Sequence, residues 1–128
     1  MGTMVTHAAR DGSDFQPGLR TYFEYRDTGI QQATGGAFTA HVIRAVPGDK
    51  VKPEWHRHDV QFQMFFVLKG WIEFEYEDIG RVRMEEGATV YQPPMIGHRE
   101  IEHSDDLQLL EIISPAVFRT ESLEEAKL

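Results

Sequence analysis

The sequence predicts an all-β fold, and three observations point to it. From about Phe38 to Ile113, short runs rich in Val, Ile, Phe and Tyr follow one another along the chain, and these residue types are enriched in strands. Turn-forming residues separate the runs at regular intervals. No segment of useful length in this region repeats its apolar residues with the period of a helix.

Each run ends at residues that favour a turn, which sets the order of the predicted strands. The predicted strands cover residues 38–46, 61–68, 71–76, 81–84, 88–92, 98–103 and 107–113. Gly, Pro, Asp and Ser are residues that tight turns require. The segments that end all but the last strand are, in order, Pro47-Gly48-Asp49, Lys69-Gly70, Glu77-Asp78-Ile79-Gly80, Glu85-Glu86-Gly87, Pro93-Pro94-Met95-Ile96-Gly97 and Ser104-Asp105-Asp106.

The chain has the length of a single domain. Its 128 residues are enough to bury a hydrophobic core. We expect an N-terminal arm over residues 1–37, in which Tyr22-Phe23-Glu24-Tyr25 is a candidate edge strand. A barrel would follow over residues 38–118, and a short C-terminal tail over residues 119–128.

Composition and charge exclude several classes of partner. The formal net charge of -8 disfavours nucleic-acid binding, because affinity for phosphate backbones comes chiefly from Lys and Arg. The chain has no apolar run near the about 18 residues that suggest a membrane span, and its first residues lack the features of a signal peptide. We therefore expect a cytoplasmic protein that binds neither nucleic acid nor membrane. With no cysteine, any metal site must use nitrogen and oxygen ligands.

Two histidines one residue apart, His56 and His58, precede an apolar strand that carries Gln63. Residues two apart on a strand point to the same face, so the two imidazoles would lie side by side. Gln63 falls on the opposite face unless the chain turns or bulges around Asp59-Val60, and we predict such a break. His98 begins a later strand, and an antiparallel fold can bring it next to His56, His58 and Gln63. An H-x-H pair alone is a weak indication of a metal site.

Two longer motifs, in this order, resemble those of the cupin superfamily. The first has a glycine, an H-x-H pair, an acidic residue and a closing glycine, and here reads G-D-K-V-K-P-E-W-H-R-H-D-V-Q-F-Q-M-F-F-V-L-K-G from Gly48 to Gly70. The second has a glycine, a proline and a third histidine, and reads G-A-T-V-Y-Q-P-P-M-I-G-H from Gly87 to His98. The resemblance spans about residues 38–114 and implies a double-stranded β-helix, the jelly-roll cupin barrel, with one divalent metal inside.

Carried over position by position, the resemblance implies that His56, His58 and His98 are metal ligands and that Gln63 replaces the family's usual glutamate. Three imidazoles and an amide oxygen leave the full divalent charge at the site, which makes a stronger Lewis acid than a site with a carboxylate ligand. The same ligand set is similar to that of cupins that linearise unsaturated uronates. Nitrogen and oxygen ligands suit one divalent transition metal per chain, namely Fe, Mn, Ni, Co or Zn.

Glu100 is a candidate catalytic residue. If His98 points inward, simple alternation turns Glu100 inward too, where a carboxylate beside a metal can act as general base or orient a histidine. An exposed glutamate on the barrel rim is the alternative. Further residues that can line the pocket or enter the cavity are His41, Trp55, Phe65, Tyr91, His103 and Glu111.

The predicted strand 61–68 is apolar on both faces. One face would show Gln63, Phe65 and Val67 to the metal, and the other carries Phe62, Met64, Phe66 and Leu68. A strand that meets water on one side normally alternates with polar residues. We predict that a second subunit covers the outer face in a homodimer, and the alternative cover is the N-terminal arm.

The sequence favours a metal-dependent enzyme that acts on a small oxygenated substrate. Two reaction classes compete, a dioxygenase and an isomerase or lyase that acts on a sugar acid or keto compound. The alternative is a non-catalytic cupin that binds or senses a small molecule with the same pocket. The substrate itself is not identified by the sequence, because specificity depends on residues that line the cavity.

Overall fold

The structure, a computed structural model, describes residues 15–18 and 20–123. The described residues form β-strands and one short helix, α1 (Ile30–Ala33). The strands are β1 (Gln16–Pro17), β2 (Phe23–Asp27), β3 (Thr39–Ala45), β4 (His56–Asp59), β5 (Phe62–Lys69), β6 (Trp71–Tyr76), β7 (Gly80–Glu85), β8 (Thr89–Tyr91), β9 (His98–His103), β10 (Gln108–Ser114) and β11 (Arg119–Ser122). The prediction of an all-β fold is confirmed.

The strands form two antiparallel sheets of a jelly roll. One sheet has the order β1-β2-β3-β10-β5-β8, and the other has the order β11-β4-β9-β6-β7. Most neighbours in each sheet come from distant parts of the chain, as expected of a double-stranded β-helix. The topology places β4 beside β9, and the Cα atoms of His56 and His98 are directly paired across these two strands.

Inward side chains from both sheets form one hydrophobic core. Phe65 and Val67 of β5 and Ile72 of β6 belong to the same cluster, and none of the three exposes more than 1% of its surface. Burial of each such side chain contributes about 1.5–3 kcal/mol to folding. The core therefore ties the two sheets together at the strands that flank the histidines.

The predicted break before Gln63 is present. β4 ends at Asp59 and β5 begins at Phe62, and the two residues between them include Val60, which is buried. The backbone N–H of Gln61 donates to the carbonyl of Ser114 at 2.8 Å. This link starts β5 in a register that turns Gln63 into the interior, where it is 4% exposed.

The tight turn between β5 and β6 depends on Gly70. Its φ angle is 75°, a left-handed conformation that side chains disfavour. A Cβ at this position would collide with Ser104 Oγ and would lie 3.1 Å from the Cα of Leu107. The glycine therefore allows the β5–β6 turn to approach the β9–β10 turn.

Segments outside the predicted barrel also join the sheets. The candidate edge strand at residues 22–25 corresponds to β2, which lies between β3 and β1 and is one position in from the edge. Residues 119–122 of the predicted tail form β11, which pairs with β4. These pairings satisfy backbone groups that would otherwise form open sheet edges. Residues 1–14 of the predicted arm and 124–128 of the predicted tail lie outside the described residues.

Membrane crossing by a helix is not supported in the described part of the chain, since none of its helices is long and apolar enough.

The outer face of the six-stranded sheet is apolar around β5, as the alternation predicts. Phe62, Met64 and Phe66 are half-buried, whereas Leu68 is 40% exposed and Tyr91 of β8 is 58% exposed. The described part of the arm covers a different region, because the ring of Phe15 lies 4.0 Å from Cζ of Arg44 on β3. The arm therefore leaves the β5–β8 region of this face without a cover among the described residues.

We predict that the protein forms a homodimer through this region. Size-exclusion chromatography with light scattering at micromolar concentration should give the dimer mass, and Leu68→Lys should shift it toward the monomer by burying a charge at the interface. Ile79→Lys is the matched control, because Ile79 is also exposed but follows β6 in the other sheet. A monomeric wild type would contradict the prediction.

Candidate metal centre

Three histidines converge between β4 and β9. One ligand atom from each of His56, His58 and His98 lies within 4.8 Å of the others. The ring centroids of His56 and His98 are 4.3 Å apart, and that of His58 is 4.9 Å from His56 and 5.0 Å from His98. The structure thus brings together the three histidines that the sequence resemblance placed in one site.

The hydrogen bonds of the three rings select the nitrogen that is free to bind a metal. Nδ1 of His56 lies 2.8 Å from the carbonyl oxygen of Glu54, and Nδ1 of His98 lies 2.9 Å from that of Ile96. A carbonyl oxygen only accepts, so these two Nδ1 atoms carry the proton and Nε2 keeps its lone pair. Nδ1 of His58 lies 2.8 Å from Thr120 Oγ1 of β11, which is consistent with the same tautomer.

The interior keeps these imidazoles uncharged. Burial, together with the like charge of the neighbouring His56, lowers the pKa of His98 to about 3 and that of His58 to about 4. Burial also lowers the pKa of His56, against a hydrogen bond to the Glu54 backbone that raises it. Neutral imidazole is the form that binds a metal, so at neutral pH no proton has to leave.

Gln63 lines the same cavity, and a carboxylate fixes the orientation of its amide. Its Nε2 donates to Glu111 Oε2 at 3.0 Å, and Glu111 Oε1 accepts from His41 Nε2 at 2.7 Å. A carboxylate can only accept, so the amide nitrogen must face Glu111. The amide oxygen of Gln63 is left available to the cavity.

This donor set fits a divalent transition metal. Three unprotonated imidazole nitrogens and one amide oxygen are ligand types that suit Fe, Mn, Ni, Co and Zn. The carbonyl and hydroxyl groups behind the rings are the outer partners that usually orient histidine ligands. The chain therefore has the capacity to hold a metal at His56, His58 and His98, and its identity is open.

The candidate metal centre opens into a cavity of about 430 Å³. Its walls are mostly apolar and aromatic, with side chains contributed by both sheets and by the segment before β11. The aromatic lining residues are Phe23, Tyr25, Phe65, Phe74 and Phe118. A volume of this size suits a small organic molecule.

Glu100 and His103 form a buried polar pair in this interior. Nδ1 of His103 lies 2.7 Å from Glu100 Oε2, and only 7% and 5% of the glutamate and histidine side chains are exposed. Burial raises the pKa of Glu100, although the hydrogen bond from His103 opposes the rise. Glu100 therefore takes up a proton more readily than an exposed glutamate.

A β-bulge makes this pair possible. Opposite β6, Phe74 pairs with Glu100 and Glu73 pairs with Glu102, which leaves one extra residue on β9 at position 101. The bulge reverses the alternation beyond Glu100, so that His103 faces inward and Glu102 is exposed. Simple alternation would have placed His103 outside.

A second buried amide also lines the cavity. Gln92 is 2% exposed, and its Oε1 accepts a hydrogen bond of 2.6 Å from the hydroxyl of Tyr76. Its backbone N–H donates to the carbonyl of Gln63 at 3.0 Å. The sequence analysis did not single out Gln92, because one glutamine at a strand end carries no pattern that separates it from surface glutamines.

Of the predicted pocket residues, three line the cavity, namely His41, Phe65 and Glu111. The other three, Trp55, Tyr91 and His103, are not among its lining residues. Tyr91 is 58% exposed on the outer face, because alternation along β8 gives the inward position to Val90. Trp55 precedes His56 by one residue and therefore turns the other way, where its ring lies 4.8 Å from Cζ of Arg99.

Residues 41–113, more than half of the chain, match the family described as the Cupin domain. The chain belongs to the cupin family. No curated protein sequence matches this cupin.

Several solved structures resemble the cupin over most of its length. KdgF from Halomonas sp. is 19% identical, with a TM-score of 0.63 over 90% of this chain and 93% of that chain. The polyketide cyclase RemF from Streptomyces resistomycificus is 16% identical, with a TM-score of 0.72 over 95% and 89%. A formate complex of oxalate decarboxylase from Lactobacillus farciminis is 17% identical, with a TM-score of 0.64 over 87% of this chain and 34% of that larger chain. These likenesses show the jelly-roll fold.

Replacement of both His56 and His58 by Ala should abolish metal binding, because it removes two of the three imidazoles that converge in the site. Elemental analysis of untagged protein should find about one transition metal per chain in the wild type and little in the variant. The wild type should keep its metal below about pH 6.5, the usual pKa of histidine, because burial lowers the pKa of all three rings. A wild type that also fails to bind added metals would contradict the ligand assignment.

Gln63→Glu should destabilise the metal-free protein by about 1–3 kcal/mol near neutral pH, because it places a second carboxylate against Glu111 and removes a hydrogen bond. Repulsion raises the pKa of this carboxyl pair in the folded state. The deficit should therefore grow as pH rises above about 4.3, the value in the unfolded chain, and shrink below it.

Thermal unfolding at pH 4 and pH 7 measures this effect. The double variant Gln63→Glu/Glu111→Gln is the control, because it restores one carboxylate and one amide at the contact. An equal melting temperature for Gln63→Glu and wild type at pH 7 would show that the two side chains are not coupled.

Proposed function

We propose that this cupin is a divalent-metal-dependent enzyme that moves a proton on a small carbonyl compound, as an isomerase or lyase does. The observation that carries the proposal is that Glu100, which is buried and bonded to His103, lines the same cavity as the three convergent histidines. Buried carboxylates with a raised pKa are suited to proton transfer near neutral pH.

A divalent metal held by His56, His58, His98 and Gln63 would supply a Lewis acid that polarises a carbonyl oxygen. All four groups are neutral, so the positive charge at the site is not offset by a ligand carboxylate. Glu111 lies behind Gln63 and compensates part of the charge from outside the ligand set, since it accepts the amide N–H at 3.0 Å.

Glu100 is the candidate general base. Its Oε2 accepts the hydrogen bond from His103, and Oε1 has no hydrogen-bond partner among the residues that the structure describes. In the proposed step, Oε1 takes a proton from the carbon next to the carbonyl, and the electron pair of the broken C–H bond moves toward the carbonyl oxygen. Return of that proton to another atom of the substrate completes an isomerisation.

His103 holds the base in place. Its ring packs against Phe23, with centroids 5.1 Å apart, and against Tyr22 at 6.0 Å. These contacts hold the imidazole that donates to Glu100. The carboxylate is therefore kept in one orientation before the reaction begins.

The similar structures support chemistry on carbonyl compounds. RemF is named as a polyketide cyclase, and the Lactobacillus protein as an oxalate decarboxylase. The set of three histidines and one glutamine is also similar to that of cupins that linearise unsaturated uronates. These proteins share the fold with this cupin at low identity, so the substrate has to be found by experiment.

Deuterium incorporation from heavy water, followed by NMR, tests the proposal directly. We expect metal-dependent exchange at the carbon next to a carbonyl in at least one compound of a panel of keto acids, cyclic ketones and unsaturated uronates. Glu100→Gln should slow this exchange by about 100-fold or more, with the metal content unchanged. Glu102→Gln is the matched control, because Glu102 is exposed on the same strand.

Two other outcomes would replace the proposal. Oxygen consumption by the iron-loaded protein without proton exchange would indicate a dioxygenase. Compounds that bind but are not transformed at any metal loading would indicate a binding or sensor protein.

A further inference from the structure

We infer that Arg20 binds a carboxylate of the substrate, and that this substrate is a largely apolar compound whose carboxylate is remote from its reacting carbonyl group. The position of the reacting carbonyl rests on the proposed function. The carboxylate site does not, because it is formed by a side chain outside the candidate metal centre.

Arg20 lies where two cavities meet. It lines the main cavity of about 430 Å³ and also a second cavity of about 460 Å³, whose wall includes Lys52 and Glu54. His56 and Thr120 are shared between the two cavities in the same way. A molecule that passes from the second cavity into the first therefore meets a guanidinium group at the boundary.

Arg20 supplies a fixed positive charge to the main cavity. Among the described residues that line this cavity, Arg20 is the only Lys or Arg. The two carboxylates there are each committed to a histidine, Glu100 to His103 and Glu111 to His41, both at 2.7 Å. The guanidinium is therefore the fixed positive charge of this lining, and the carboxylate of a ligand would find its opposite charge there.

Few of the N–H donors of Arg20 have a partner among the residues that the structure describes. Its Nη1 lies 3.7 Å from Glu54 Oε2, which is too long for a hydrogen bond, and the Glu54 side chain is 66% exposed. A weak ion pair of this kind contributes little. The guanidinium also bonds to the side chain of Tyr22. A guanidinium has five N–H donors in a planar fork, so it can still bind a carboxylate through two of them.

Arg20 is also within electrostatic range of the histidines. After burial and contacts nearer to the rings, its charge is one of the causes that lower the pKa of His56 and His58. A single small molecule can therefore place its carboxylate at Arg20 and another oxygen at the candidate metal centre.

Part of the cavity wall suits a ligand with an apolar body. Phe23, Tyr25, Ile43 and Leu109 all line the cavity. Hydroxyl groups that lay against these side chains would lose water without gaining a partner, which costs free energy for each unpaired group. An aromatic or aliphatic keto acid has no such groups between its two polar ends.

Calorimetric titration with a matched pair of ligands tests the inference. The probe is 4-oxo-4-phenylbutanoate, and its primary amide has the same shape without the charge. The zinc-loaded wild type should bind the acid at least about tenfold more tightly than the amide. Arg20→Gln should bind both with similar affinity, and Arg20→Lys, which keeps the charge but not the fork, should give an intermediate preference.

Lys52→Gln is the matched control, because it removes the same charge from the second cavity only. It should keep most of the preference for the acid. Failure of the wild type to bind the acid, an unchanged preference in Arg20→Gln, or an equal loss in Lys52→Gln would each overturn the inference.

The same titrations on metal-free protein separate the two proposals. A preference for the acid that depends on Arg20 but comes without metal binding or turnover would reject the proposed enzyme and keep the carboxylate site. Metal-dependent turnover without any Arg20-dependent preference would reject the carboxylate site and keep the enzyme.

Discussion

The position of β4 is the constraint on which the candidate site depends, because this strand carries two of its three histidines. Its link to β9 is a single residue pair, His56 with His98. On its other side β4 pairs with β11 along its whole length, from His56 to Asp59. Thr120 of β11 also bonds to the ring of His58, and Glu121 bonds to Arg57 at 2.6 Å. The last described strand therefore holds the first two histidines in place.

Several polar side chains in or beside the cavity occur as bonded sets. Gln63, Glu111 and His41 form one chain of hydrogen bonds, Glu100 and His103 a second, and Tyr76 and Gln92 a third. An unpaired polar group in so apolar a cavity would cost free energy, whereas a bonded one is held in a single orientation. This pairing explains how an apolar barrel contains so many groups capable of chemistry and still folds. It also leaves specific atoms unpaired toward the cavity, and those atoms define what a ligand can meet.

Gln63 stands where the cupin motif usually has a glutamate, and it is hydrogen-bonded to Glu111 on the neighbouring strand. A carboxylate at position 63 would face another carboxylate, whereas the amide donates to it. The carboxylate of Glu111 thus lies behind the amide of Gln63 and fixes its orientation. The glutamine is accordingly part of a three-residue arrangement and not an isolated substitution.

The sequence by itself determined where most barrel strands lie along the chain and which face of β5 points inward, because these follow from the period of the strands and from local turn chemistry. The set of three histidines followed from the resemblance of two motifs to those of the cupin superfamily. It also indicated the break between His58 and Gln63. Only the tertiary structure decided which other residues reach the cavity. The inward turn of His103 results from a bulge that depends on pairing with β6. Arg20 and Thr120 lie in segments that carry no barrel pattern and enter the site through β1–β2–β3 and β4–β11 contacts. Long-range register of this kind is set by many weak packing contacts at once, and no local stretch of sequence encodes it.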